Sequence, residues 1–258
     1  MLYAVLLGIA AASGSVRFSS GLFGYVRQHW GGDAVHRVKR WQTFLQRHDQ
    51  WLARPAVTKP VAAASGVHRP RPSAASGAAS AAAAPAAPRR AASAAAPAPP
   101  ASGPAIMALL RATNAFWNRI PYQEDEDTWG DANYMASPIE TLGADNADCK
   151  AYAIAKYYTL KDLGVPVDRM RLTYVTVAEV DEPHMVLAYY PTPSADPYIL
   201  DNLVPDVEPA SQRPDLVPVY SFNDDDLWTV GVSNPVGSSS QIRVWRDLQR
   251  RMAQQNGY

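Results

Sequence analysis

The sequence has almost no cysteine: one residue, Cys149, in a chain of 258. A single thiol cannot form a disulfide bond within the chain, so an internal bridge is excluded. Two roles remain for Cys149. It is either a small apolar residue of the core or a nucleophile.

The chain also lacks an excess of charge of one sign. It contains 24 basic and 24 acidic residues, and its formal net charge is +0. That balance argues against nucleic acid or an anionic membrane as the main partner. Basic residues cluster before position 100 and acidic residues after it, which indicates two regions of different composition.

Long apolar runs are missing as well. The longest lies in the N-terminal stretch MLYAVLLGIAAASGS, where roughly ten apolar residues precede small ones, too few to span a bilayer. The stretch resembles a secretory signal with an A-x-A-like exit, although no Lys or Arg precedes the apolar run. We expect residues 1–17 to be an export signal. The alternatives are an uncleaved hydrophobic N-terminus and a different start of the chain.

Large aromatic residues are missing from residues 54–104, which consist almost entirely of Ala, Pro, Ser and Gly with a few basic residues. Such a segment cannot bury enough apolar surface to offset the entropy lost on ordering. We predict that it is disordered and partly polyproline-like. Before it, residues 18–53 carry apolar side chains at helical spacing and predict an amphipathic helix that packs on the rest of the protein.

Residues 105–235 have the pattern of a folded core, and residues 236–258 form a tail that could be a basic amphipathic helix. Two segments, 106–122 and 149–163, are predicted helices, and the second is apolar on most of its circumference and therefore buried. The period then changes to β-branched and aromatic strands separated by turns. The predicted strands are 171–180, 184–191, 197–204 and 217–222. Helices followed by an antiparallel meander predict an α+β fold.

Cys149 stands where the second of these helices begins. Asp145, Asn146 or Asp148 could cap that helix. The thiolate that acts as a nucleophile is favoured at a helix N-terminus, and the free backbone N–H groups there can bind an oxyanion. A base is also needed, and His184 is the only one of five histidines in the β region.

Asp201, at the end of the next strand, is placed to orient the His184 ring. Each of the three residues also has an ordinary structural explanation: a core cysteine, a surface or hydrogen-bonded histidine, and a turn-forming aspartate. Their joint order, with the cysteine at a helix start and the His and Asp on neighbouring strands, favours catalysis.

Several stretches carry a resemblance to a known family. They read ASPIETL, DC, YAIAKYYTL, LGVP, HMVLAYYPTP, LDNL, PASQRPDLVPVYSFN and LW. In these stretches, over residues 116–228, the chain resembles the bacterial transglutaminase-like cysteine proteinases, the LapG-type periplasmic adhesin proteases. The resemblance implies a papain- or transglutaminase-like core with N-terminal helices packed on an antiparallel sheet, residues 18–53 being the N-terminal helical segment. The Ala/Pro-rich stretch would then be an insertion within one domain.

By the same resemblance, Cys149 is the nucleophile, His184 the general base and Asp201 the orienting acid. The family is calcium dependent, and its motif has acidic residues after the cysteine. This chain keeps Asp148 but has Lys150 where an oxygen ligand is expected. Asp131, Asn133 and the carbonyl of Tyr134 could still supply oxygen ligands to calcium. Alternatively, Lys150 itself supplies the positive charge.

The resemblance finally implies a function and partners. The family cleaves the N-terminal region of large surface adhesins at paired alanines in the periplasm, which releases the adhesin and disperses biofilm. An inner-membrane cyclic di-GMP receptor sequesters the protease. Two alternatives stay open: acyl transfer to an amine, as in true transglutaminases, and a binding or regulatory module with a degenerate site, which Lys150 keeps in consideration.

Overall fold

The protein is described by a computed structural model that covers residues 16–49, 103–232 and 234–255. The predicted export signal and the predicted disordered stretch therefore lie almost wholly outside the described residues. The described residues all belong to one compact unit. None of the helices in the described ranges is both long and apolar enough to cross a membrane.

Six α-helices and seven strands make up the described part of the fold. The helices are α1 (Ser20–His48), α2 (Pro104–Trp117), α3 (Asp125–Trp129), α4 (Pro138–Ala144), α5 (Cys149–Asp162) and α6 (Arg243–Gln255). The strands are β1 (Met170–Val177), β2 (Glu182–Tyr189), β3 (Tyr198–Leu200), β4 (Glu208–Pro209), β5 (Leu216–Phe222), β6 (Asp226–Thr229) and β7 (Gly237–Ser238). They form one antiparallel sheet in the order β4-β3-β2-β1-β5-β6-β7. The α+β prediction is confirmed.

Helix α5 lies at the centre of the core, as its all-round apolar pattern predicts. Ten consecutive residues, from Ala151 to Leu160, are buried. The helix packs against β2 and β1 on one side and against α2 and α4 on others. It ends where Gly164 adopts a φ of 80°, a left-handed conformation that favours glycine.

The two faces of the sheet differ, because side chains alternate along a strand. On β2, Met185, Leu187 and Tyr189 pack in the main core beneath the helices. Val186 and Ala188 instead belong to a small second cluster with Val175 and Ile199. The sheet therefore has one face covered by helices and one face with only a thin apolar layer.

Several predicted boundaries differ from the structure. The third predicted strand, 197–204, is only three residues long, because Asp201 leaves the ladder and its Oδ1 accepts a hydrogen bond from the N–H of Leu203 at 3.1 Å. The long N-terminal helix is kinked at Gly31, whose φ of 82° interrupts the helix. The short helix α3, with three acidic residues in its first turn, lies in a segment for which no helix was predicted. The tail helix is present, and Trp245 and Leu248 anchor it in the core.

A buried hydroxyl holds the N-terminal helices on α5. Thr159 is fully buried, and its Oγ1 accepts hydrogen bonds from the indole N–H groups of Trp41 and Trp117, each at 2.9 Å. A hydroxyl oxygen has two lone pairs, so both are used. This single atom ties α1, α2 and α5 together.

We predict that Thr159→Val destabilises the protein by about 2–4 kcal/mol, because the isosteric change leaves two buried indole donors unpaired. Thr159→Ser, which keeps the oxygen and loses one methyl group, should cost only about 1 kcal/mol. Urea denaturation of the full chain measures both. Equal losses for the two variants would show that the hydroxyl does not hold the helices.

Candidate active site

Cys149 is the first residue of α5, as predicted. Of the three candidate caps, Asp148 is the one used: it has extended backbone angles, and its Oδ1 accepts a hydrogen bond from the N–H of Ala151 at 2.8 Å. Asp145 instead ends the preceding helix with a φ of 60°. Cys149 as a whole residue is half-buried. Its side chain is therefore held at a well-defined helix start.

The start of α5 lies against an uncovered length of β2. Strand β3 ends at Leu200, which pairs with Leu187, so residues 182–186 of β2 have no partner in β3. Within that length, the backbone N–H of Met185 interacts with the sulfur of Cys149. Since Met185 directly follows His184, the sulfur lies against the β2 backbone one residue beyond the histidine, although Cys149 and His184 are 35 positions apart in sequence.

His184 and Asp201 form a buried pair. The Nε2 atom of His184 lies 2.8 Å from Oδ1 of Asp201, and the two residues are 5% and 1% exposed. The predicted contact between His184 and Asp201 is therefore present. Because Asp201 binds Nε2, the other ring nitrogen, Nδ1, is the one left to exchange a proton with a reacting group.

Asp201 has a second partner, Arg213, for which no role is predicted from the sequence. The Nη2 atom of Arg213 donates to Oδ2 of Asp201 at 2.8 Å, and Arg213 also pairs with Asp215 at 2.7 Å. Burial alone would raise the pKa of Asp201, but the hydrogen bonds from His184 and Arg213 lower it to about 2. The carboxylate is therefore ionised at every physiological pH. A buried aspartate at a strand end requires a cationic partner. In the sequence, the arginine of the motif PASQRPDL is the residue that could have been recognised as this partner.

The thiol itself is not an easily ionised one. Burial raises the pKa of Cys149 to about 12, with a further rise from the neighbouring Asp148 carboxylate and opposite effects from Lys150 and the Met185 N–H. A helix N-terminus is expected to favour the thiolate. In the structure burial and a carboxylate outweigh that effect. Nucleophilic attack by this sulfur therefore requires a base that removes the proton.

Lys150 lies in a ring of oxygen atoms next to Cys149. Its Nζ forms a short ion pair with Asp148, lies 3.1 Å from Oδ2 of Asp125, and donates to the carbonyl oxygen of Ala132 at 2.9 Å. Asp125 is only 3% exposed, and its burial together with Asp148 raises the pKa of this carboxyl to about 7 against the opposing effect of Lys150. Two buried carboxylates thus share one ammonium group.

The residues predicted to bind calcium do not fit that ion in this arrangement. Asp131 and Asn133 are exposed, and Oδ1 of Asp131 accepts the backbone N–H of Asn133. The carbonyl between them, that of Ala132, and the carboxylate of Asp148 both bind the Lys150 ammonium. Among the described residues, no group of three or more His, Cys, Asp or Glu is arranged to hold a metal. A calcium ion at these oxygens would compete with a fixed cation.

One more buried charge lies below the site. Lys156, two turns after Cys149 on α5, is fully buried and its Nζ has no hydrogen-bond partner among the described residues. The nitrogen lies 5.6 Å from the centre of the Tyr152 ring. Burial lowers the pKa of Lys156 to about 7, although the Asp201 carboxylate acts in the opposite direction.

Known proteins resemble this chain in sequence and in fold. The family described as bacterial transglutaminase-like cysteine proteinase BTLCP matches residues 88–229. No curated protein matches the chain. Among solved structures, Legionella pneumophila LapG is 29% identical with a TM-score of 0.60, covering 90% of this chain and 96% of that one.

Two further structures of the same Legionella pneumophila protein are similar to the chain. The EGTA-treated form is 28% identical with a TM-score of 0.62, and the match covers 90% of this chain and 96% of that one. The calcium-bound form is 28% identical with a TM-score of 0.60, and the match covers 91% and 99%.

We predict that Lys156→Met stabilises the protein near pH 7 by roughly 3 kcal/mol, and that the gain shrinks as the pH rises towards 10. Between pH 7 and about 10.4 the unfolded chain binds a proton at Lys156 that the folded chain does not, so stability rises with pH in the wild type. Below pH 7 both states are protonated and the penalty is constant. Urea denaturation across this pH range measures the difference.

The control for this prediction is Lys39→Met, since Lys39 is an exposed lysine of α1. It should give no comparable gain at any pH. A Lys156→Met protein that is less stable than the wild type at pH 7 would contradict the assignment of a penalty to the buried ammonium.

Proposed function

Because the chain belongs to the bacterial transglutaminase-like cysteine proteinases, we propose that it is an endopeptidase with Cys149 as nucleophile, His184 as general base and Asp201 as the orienting acid. The observation that carries this assignment is the buried pair of His184 and Asp201, together with the contact of the Cys149 sulfur with the backbone of Met185, the residue after His184.

The proposed mechanism follows from the protonation states. His184 removes the Cys149 proton through Nδ1 as the sulfur attacks the scissile carbonyl carbon, because the buried thiol does not ionise unaided. Backbone N–H groups at the start of α5 bind the oxyanion. The protonated ring then donates to the leaving amine, and a thioester remains on Cys149. A water molecule, deprotonated by His184, hydrolyses the thioester and restores the thiol.

Asp201 and Arg213 support this proton transfer without touching the substrate. The ionised Asp201 carboxylate holds Nε2 of His184 and stabilises the ring when it is protonated. Arg213 fixes the second oxygen of that carboxylate. We therefore assign Arg213 as a positioning residue.

The substrate and the cellular setting belong to the same proposal. By the family resemblance, the enzyme acts in the periplasm on the N-terminal region of a large surface adhesin, cuts at paired alanines and controls adhesin release and biofilm. An inner-membrane cyclic di-GMP receptor would sequester it. The apolar N-terminal stretch of the sequence supports export.

A second candidate is a binding or regulatory module of the same fold. Lys150 beside the nucleophile is the observation that favours it, since the ammonium is tied to Asp148 next to the sulfur. An acyltransferase acting on amines is the remaining alternative, and incorporation of a labelled amine without proteolysis would identify it.

The test of the proposed function is cleavage of an adhesin N-terminal fragment that contains paired alanines. We predict that Cys149→Ala lowers the cleavage rate at least about a thousandfold, because no other group can form the thioester. A fragment with the alanine pair replaced by acidic residues is the substrate control. Equal rates for wild type and Cys149→Ala, or no cutting at all, would contradict the proposal.

We predict that Arg213→Gln lowers kcat roughly tenfold to a hundredfold, part of the contribution of general acid–base catalysis, with little change in KM. The acid limb of the pH profile of kcat/KM should move to higher pH, because an Asp201 carboxylate without Arg213 favours the protonated imidazole more strongly. Asp215→Asn is the matched control, since it removes the other, more exposed partner of Arg213. An unmoved pH profile would mean that Arg213 acts only on folding.

A further inference from the structure

We propose that the Lys150 ammonium is a built-in cation that takes the place of a metal ion beside Cys149, so that this protein neither binds calcium at these oxygens nor responds to its removal. The statement about binding stands on the geometry of the site. Its consequence, a protease that works without calcium, rests on the proposed function.

Three segments of the chain supply the oxygens around Lys150. Asp125 lies at the start of α3, Ala132 in the following loop, and Asp148 at the N-cap of α5. An ammonium group has three N–H donors. Two of them bond to the Asp148 carboxylate and to the Ala132 carbonyl, and Oδ2 of Asp125, at 3.1 Å, forms an ion pair with the ammonium but accepts no hydrogen bond within the described residues.

Burial favours a cation at this point. Asp125 and Asp148 are 3% and 1% exposed, and the Lys150 side chain is 15% exposed. Two adjacent buried carboxylates without a cation would repel each other and lose their hydration. A hard metal cation bound by these oxygens would neutralise the two carboxylates. The ammonium of Lys150 in α5 is a second way to neutralise them.

The two solutions exclude each other. Calcium requires six to eight oxygen ligands at about 2.3–2.6 Å. With the Lys150 nitrogen at 3.1 Å from Asp125 and 2.9 Å from the Ala132 carbonyl, the same oxygens are already directed at a positive charge. The similar Legionella protein has been solved in calcium-bound and EGTA-treated forms. In this chain the cation is part of α5 and cannot be removed by a chelator.

The experiment uses the full chain as wild type, Lys150→Glu and Lys150→Gln, each in excess EGTA and in millimolar calcium. Thermal unfolding and native mass spectrometry report stability and bound metal without reference to activity. Arg250→Glu, a charge reversal of the same size at an exposed position outside the cluster, is the matched control.

We expect the wild type and Arg250→Glu to unfold at the same temperature in both buffers and to carry no calcium. Lys150→Glu should bind one calcium ion and unfold several degrees higher in calcium than in EGTA, because a ligand that binds only the folded state stabilises it. Lys150→Gln, which removes the charge without adding a carboxylate, should unfold below the wild type in EGTA and recover part of the loss in calcium. That variant keeps the proposal testable if Lys150→Glu does not fold.

Two outcomes would overturn the proposal. A wild-type protein that binds calcium and gains several degrees would show that Lys150 yields the oxygens to the metal. Lys150 variants that fold but ignore calcium would show that these oxygens are not a cation site. Cleavage assays in both buffers separate the two proposals: a wild type that fails to cut while the metal results hold contradicts the proposed function alone.

Discussion

The packing of α5 against β2 determines where every proposed catalytic group lies. Because α5 is buried around its whole circumference, its axis is held by helices on one side and by the sheet on the other. Its first residue, Cys149, is thereby fixed against the length of β2 that β3 leaves uncovered. The hydrogen-bonded Thr159, ten residues or nearly three turns later, secures the same helix to α1 and α2. The position of the thiol is thus a consequence of core packing.

The second constraint is local neutralisation of buried charge. Asp201 is neutralised by Arg213 and binds His184, and the pair of Asp125 and Asp148 is neutralised by Lys150. Arg213 and Lys150 each pair with at least one carboxylate from another segment of the chain. These ion pairs therefore also hold the loops around the site in place. Lys156 is the exception, a buried ammonium without a hydrogen-bond partner in the part of the chain that the structure describes.

The pattern of the sequence predicts the elements better than the contacts between them. The all-round apolar run that begins after Asp148 predicts α5 and its start correctly, and the alternating β-branched residues predict β1, β2 and β5. The short length of β3 could not be predicted from the apolar residues of 197–204. Asp201 leaves the ladder, and its carboxylate binds the N–H of Leu203 and the ring of His184 instead. The local pattern of apolar residues carries no information about this long-range contact.

The same limit applies to the site. The start of α5 at Cys149 and the contact of His184 with Asp201 follow from the order of helix and strands, whereas the catalytic roles of the three residues stay a prediction. Arg213 and Asp125 were missed, since their partners lie 12 and 25 positions away and their roles exist only once the loops have folded. Lys150 was recognised as a cation in an unexpected place, but the oxygens that surround it are a property of the tertiary structure.

The proposed role of His184 is to accept the proton of Cys149, and the rate of thiol alkylation measures how readily that proton is lost. The chain contains one cysteine, so the mass gain from iodoacetamide reports on Cys149 alone. At neutral pH the folded wild type should react more than about tenfold faster than folded His184→Gln, because only the imidazole can take the proton from the buried sulfur. Unfolded in urea, the two should react alike. Equal rates in the folded proteins would contradict the account and leave Cys149 as a residue of the core.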